Sequence, residues 1–136
     1  MRYVIALDTT LRLLRERVHV HDGIKLLAPT LLRSQALSHL YGSVLRGEID
    51  RKAAASQLDH MRSLKIRLLG DRVLQKVAWD MAEQLHWKDT FMAEYLALTK
   101  LQADAFVTLD SELARSVRQI VPLASFEDIL GRQAVR

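Results

Sequence analysis

At 136 residues and 49% hydrophobic content the chain can bury one core without staples and needs no second domain, so residues 1–136 are read as a single unit. It holds no cysteine, which excludes a disulfide framework, a thiolate metal site and a thiol nucleophile. The formal charge of +4 is uneven: residues 1–70 carry 12 Lys and Arg against 6 Asp and Glu, a net +6, while residues 71–136 carry 8 against 10, a net −2. A basic half permits polyanion binding, because attraction to phosphate is the generic part of nucleic-acid affinity, and serves equally well as a solvated surface.

The chain opens on RYVIALDTT, an apolar strand through Tyr3, Val4, Ile5, Ala6 and Leu7 that runs into Asp8. No basic-then-apolar leader precedes it, and no window approaches the roughly 20 apolar residues that cross a bilayer, so a cytoplasmic protein outside the membrane is expected. A short helix follows over Thr9 to Arg17, then VHVHDGIKLLAP supplies a loop and a second short strand closed by Pro29. Thr30 can cap a helix whose apolar positions Leu32, Ala36, Leu37, Leu40, Tyr41 and Val44 keep a 3.6-residue period until Gly47. Another helix is expected from about Asp50 to Leu64, with Ala54, Leu58 and Met61 inward. KIRLLG, residues 65–70, alternates as a third strand.

Asp71 then opens the most regular amphipathic helix, with Val73, Leu74, Val77, Ala78, Met81, Ala82 and Leu85 on one stripe. A further helix starts near Asp89 and carries Ala93, Leu96, Ala97 and Leu101. ADAFVTLD is a fourth strand, Ala105 to Leu109, that stops on Asp110. After it come a helix over Ser111 to Val117, a fifth strand in QIVPLAS, and a helical turn from Phe126 to Leu130. This alternation predicts an α/β sandwich with a parallel sheet covered by helices on both faces.

In such sheets the ligand site lies beyond the carboxyl ends of the strands, which is where Asp8 and Asp110 fall. Two carboxylates that close repel unless a cation shares them. Mg²⁺ or Mn²⁺ suits them, since these ions take oxygen ligands, retain waters and can activate one of them against a phosphodiester. The competing reading makes each aspartate a helix cap, Asp8 before TTLRLL and Asp110 before SELARSV.

VIALDTT, LLAPTLLRSQALSHLY and AEYLALTKLQADAFVTLD together resemble the PIN-domain family, in particular the VapC-like toxins, over essentially the whole chain. The resemblance implies a PIN-like three-layer sandwich with a five-stranded sheet in the order 3-2-1-4-5. It also implies a metal-dependent ribonuclease site of three or four acids, dimers, and a small antitoxin that plugs the site. Asp8 matches the first family acid, with Thr9 and Thr10 as the hydroxyl residues after it. Asp110 matches the strand-four acid, with Thr108 two residues before.

Two positions depart from the pattern. Gln35 stands where the family has Glu, and can offer a carbonyl oxygen but no charge. Met92 stands where the family has Asp, and cannot bind Mg²⁺. Asp89, one turn earlier, is either a substitute carboxylate or a cap, while Glu94 is expected to face elsewhere.

The expectation is therefore an Mg²⁺- or Mn²⁺-dependent endoribonuclease acting on RNA. Asp8 and Asp110 hold the metal, Asp89 is a third catalytic carboxylate, and Gln35 orients water. Its rival is a degenerate PIN domain that binds RNA or protein without cutting. A receiver-like phosphoacceptor is excluded, because no Asp-Asp pair follows the first strand.

Arg12, Arg15, Arg17 and Arg33 could line the approach and grip RNA phosphates, or be solvated. His19 and His21 lack a third ligand and read as a surface loop. Trp79, Trp87, Tyr41, Tyr95 and Phe91 read as core and interface residues rather than a base-stacking platform.

Overall fold

A computed structural model describes residues 1–132 of the chain. In chain order the elements are β1 (Arg2–Ile5), α1 (Leu7–Glu16), β2 (Lys25–Pro29), α2 (Leu31–Leu45), α3 (Arg51–Ser63), β3 (Arg67–Leu69), α4 (Arg72–Gln84), α5 (Phe91–Gln102), β4 (Ala105–Val107), α6 (Ser111–Val117) and α7 (Phe126–Ile129). The four strands form one sheet in the order β3-β2-β1-β4, and every pairing is parallel.

The two-residue period of the strands divides the core in two. Tyr3, Ile5, Leu26, Ala105 and Val107 point to one face, where Leu13 of α1 and Phe126 and Ile129 of α7 cover them. Val4, Leu27 and Phe106 point to the other, beneath Leu74, Ala78 and Met81 of α4 and the buried face of α5. Because β1 is enclosed on both sides, it reads as a continuous apolar run rather than an alternating one. The α/β sandwich with helices on both faces is thus the observed architecture.

The expected fifth strand is reduced to a single parallel bridge between Phe106 and Leu123. Phe106 N–H donates to Pro122 O at 2.9 Å and Ala124 N–H donates to Phe106 O at 3.0 Å. Pro122 has no N–H to donate, so the ladder cannot propagate back along this segment.

Local expectations are corrected in three other places. β1 stops at Ile5, so Asp8 sits in the first turn of α1 rather than on a strand end. Thr30 is itself helical and makes no side-chain cap bond. Leu37, Tyr41, Val73, Trp79 and Phe91 are exposed, not inward. Among the described residues no helix is long and apolar enough to cross a membrane.

Candidate active site

The chain leaves β1 through Ala6, which caps α1 without a side-chain bond, and the next turn carries Asp8 among the free N–H groups of the helix start. Its carboxylate is tied to the end of β4: Oδ2 accepts from Thr108 Oγ1 at 2.9 Å and from Leu109 N–H at 3.2 Å. Oδ1 lies 3.0 Å from the Thr9 hydroxyl, which is also 3.1 Å from Val107 O, so one hydroxyl proton serves two acceptors. Thr10, fully buried like Thr9, donates to Ala6 O at 2.9 Å. Thr9 pins α1 against β4, Thr10 closes the first turn of the helix, and Asp8 is no simple cap.

Asp110 reaches the same rim. Thr108 Oγ1, which donates to Asp8, accepts from Asp110 N–H at 3.2 Å. Through Oδ1, Asp110 accepts from Glu112 N–H at 3.0 Å and Leu113 N–H at 3.1 Å, capping α6. The cap reading therefore holds for Asp110, and its second oxygen makes no hydrogen bond among the described residues.

Behind these two acids, α5 and α2 are joined by Tyr95, whose hydroxyl donates to Gln35 Oε1 at 2.6 Å. Burial, then the charges of Glu94 and Asp8, push the Tyr95 phenol well above its ordinary range. Tyr95 accordingly stays a neutral donor, with Glu94 and Asp8 both within electrostatic reach of it. Glu94 is half-buried, and desolvation raises its carboxyl above the usual carboxylate range.

Glu94 is the one acid within the otherwise apolar run from Ala93 to Leu98. Met92 packs partly buried against the apolar core.

Asp89 lies ahead of α5 rather than inside it, exposed, and accepts from Phe91 N–H at 3.1 Å. Among the described residues no three His, Asp or Glu side chains come together as a group that could hold a metal ion. Arg12 is not free for a phosphate: it pairs with Glu16 at 2.6 Å and stacks 4.0 Å over the Phe126 ring. Arg17 donates to Ser56, and Arg15 and Arg33 are exposed. His19 pairs with Asp22 at 3.3 Å and the Gly23 N–H donates to His21 Nδ1 at 3.2 Å, as befits a surface loop.

No protein-family model and no curated protein matches the chain. Among solved structures it is similar to the crystal structure of PAE2754 from Pyrobaculum aerophilum, with 20% identity over 97% of this chain and 88% of that one and a TM-score of 0.72. That likeness is one of fold.

Proposed function

We propose that the chain is a metal-dependent endoribonuclease of the VapC-like, PIN-domain kind, hydrolysing RNA phosphodiester bonds at the carboxyl rim of its sheet in the cytoplasm. The observation that carries this reading is the Thr108 hydroxyl, which donates to the Asp8 carboxylate and accepts from the Asp110 backbone N–H, so that both residues stand on one rim. Mg²⁺ or Mn²⁺ fits that donor set, since such ions are commonly held by one or two carboxylates with substrate phosphate completing the shell. When bound, the ion would supply activation of water and neutralisation of charge on the phosphodiester.

The chain's own residues orient the parts. Three hydrogen bonds fix the Asp8 carboxylate, and Asp110 keeps one oxygen free while the other caps α6. Tyr95 engages the carbonyl of Gln35 and so leaves the Gln35 amide to donate to water or phosphate. Asp89 is the third carboxylate of this reading, with one oxygen taken by the Phe91 N–H, and Glu94, half-buried and raised by desolvation, is the other acid at the start of α5. Arg15 and Arg33 remain available to RNA. A second copy of the chain is a further partner, supported by Leu37, Tyr41 and Leu45, exposed one turn apart on α2, and a small antitoxin protein would cover the acidic rim.

Cleavage of single-stranded RNA in Mn²⁺, abolished by chelator and by Asp110→Asn, is the expected result. Cleavage that survives both would remove the site. The non-cutting RNA-binding or protein-interaction module is favoured by one specific observation, the lack of a three-acid group among the described residues. Binding of RNA with no cleavage in either Mg²⁺ or Mn²⁺ would decide for it.

A further inference from the structure

At the opposite rim, where the strands begin, lies an open pocket of about 740 Å³, a size typical of small-molecule sites. Its cations come from the amino ends of three neighbouring strands and from two helix ends: Arg2, Lys25 and Arg67, then Arg17 after α1 and Lys65 after α3. None of the five forms an ion pair among the described residues. The one acid in the lining, Asp22, is paired with His19. Five Lys and Arg against one Asp leave a formal +4 around a single hollow.

Arg17 and Lys65 reach the pocket from the left-handed turns that end α1 and α3, with φ of 50° and 54°. One further observation points to a ligand. In the cavity wall, His60 Nε2 is enclosed and has no hydrogen-bond partner, an unmet polar group of the kind a bound molecule or water satisfies. Val18, Val20 and Leu64 add an apolar wall beside the cations.

We propose that this cavity binds a triphosphate group, carried either by a free nucleoside triphosphate or by the 5′ end of an RNA. A triphosphate brings about four negative charges at neutral pH to a lining of matching formal charge. It also offers several acceptor oxygens to the cations that line the pocket. The cavity lies on the rim away from Asp8 and Asp110, so this inference stands apart from the nuclease reading.

Calorimetric titration of the full chain in chelator, with inorganic triphosphate, ATP, and one short RNA bearing either a 5′-triphosphate or a 5′-hydroxyl, tests it. The first two ligands and the 5′-triphosphate RNA should bind one per chain, compete with one another and weaken with salt. Lys25→Ala combined with Arg67→Ala, both exposed, should weaken them about tenfold or more, as loss of charged hydrogen bonds implies. Lys65→Gly, which suits the left-handed backbone, should weaken them too. ATP binding more tightly than 5′-triphosphate RNA identifies the free nucleotide, and the reverse order identifies the RNA end. Equal binding of 5′-hydroxyl and 5′-triphosphate RNA, indifference to the cavity variants while they remain folded, or no binding of triphosphate would each overturn the proposal.

Discussion

Asp8→Asn separates the structural role of this side chain from its proposed role on metal. Asparagine can keep its carbonyl oxygen on the Thr108 hydroxyl and the Leu109 N–H, now at 2.9 and 3.2 Å from Oδ2, and turn its amide toward Thr9. The Thr9 proton then goes wholly to Val107 O, so every partner stays satisfied. Only the charge is lost. A hydrogen bond to a charged group contributes about 1.5–3 kcal/mol and a neutral one about 0.5–1.5, so weakening two part-exposed bonds costs roughly 1–2 kcal/mol. For 136 residues the unfolding entropy is about 290 cal/mol/K, and Tm should fall by roughly 4–7 °C. Mn²⁺ at about 100 times its Kd should stabilise the unaltered protein by about 2.7 kcal/mol, or roughly 9 °C. Thermal melts of both proteins with and without Mn²⁺ should show the modest fall and no metal response in the variant. A full Mn²⁺ response from Asp8→Asn would refute the ligand role.

Tyr95→Phe leaves Gln35 Oε1 without its 2.6 Å partner and should cost about 1–2 kcal/mol. Because the folded phenol is raised, the stability linked to it is fully present below the unfolded value of about 10 and is lost as pH rises beyond it, at up to about 1.4 kcal/mol per pH unit. Denaturant titrations above about pH 10 should therefore fall more steeply for Tyr95 than for the Phe variant, and parallel curves would contradict this. Glu94 is also raised, so its contribution is fully present in acid and declines as pH climbs through its folded value. Glu94→Gln should raise Tm at neutral pH and have no such effect in acid; a neutral-pH Tm equal to that of the parent would show the carboxylate to be well solvated. Tyr41→Glu places a charge in the exposed α2 stripe and should shift sedimentation from dimer to monomer, whereas a parent chain already monomeric would discard that surface.

The alternation of strands and helices was readable because β1, β2 and β4 are short apolar runs with turn residues between them, and α4 carries its buried residues at helical spacing. The fifth strand misled because QIVPLAS has a strand's composition, while the missing N–H of Pro122 on one side and the turn of Ser125 into α7 on the other cut its ladder to one bridge. Leu37 and Tyr41 misled differently: α2 spreads its apolar residues over a broad arc, and periodicity cannot say which part of that arc meets the sheet, while Val73 lies exposed at the start of α4. At the site, the pairing of Asp8 with the end of β4 followed from sheet logic. The half-burial of Glu94 did not, because a half-buried acid and a solvated one look alike until α5 is placed against β1. The basic cavity was invisible for a similar reason. Its cations lie scattered from residue 2 to residue 67, and only the parallel register of Arg2 with Lys25 brings strand starts together.

The interrupted pairing at Pro122 bears on how the protein keeps to itself in a crowded solution. A sheet border with free N–H and C=O groups is a template on which another chain can lay a strand. Here the β4 border is occupied by a segment that satisfies Phe106 and then, at a residue with no N–H, goes no further. The other border, β3, is only three residues long. One side is stoppered and the other is too short to extend, so growth of this sheet into fibrils is discouraged at both ends without any strand being sacrificed to guard it.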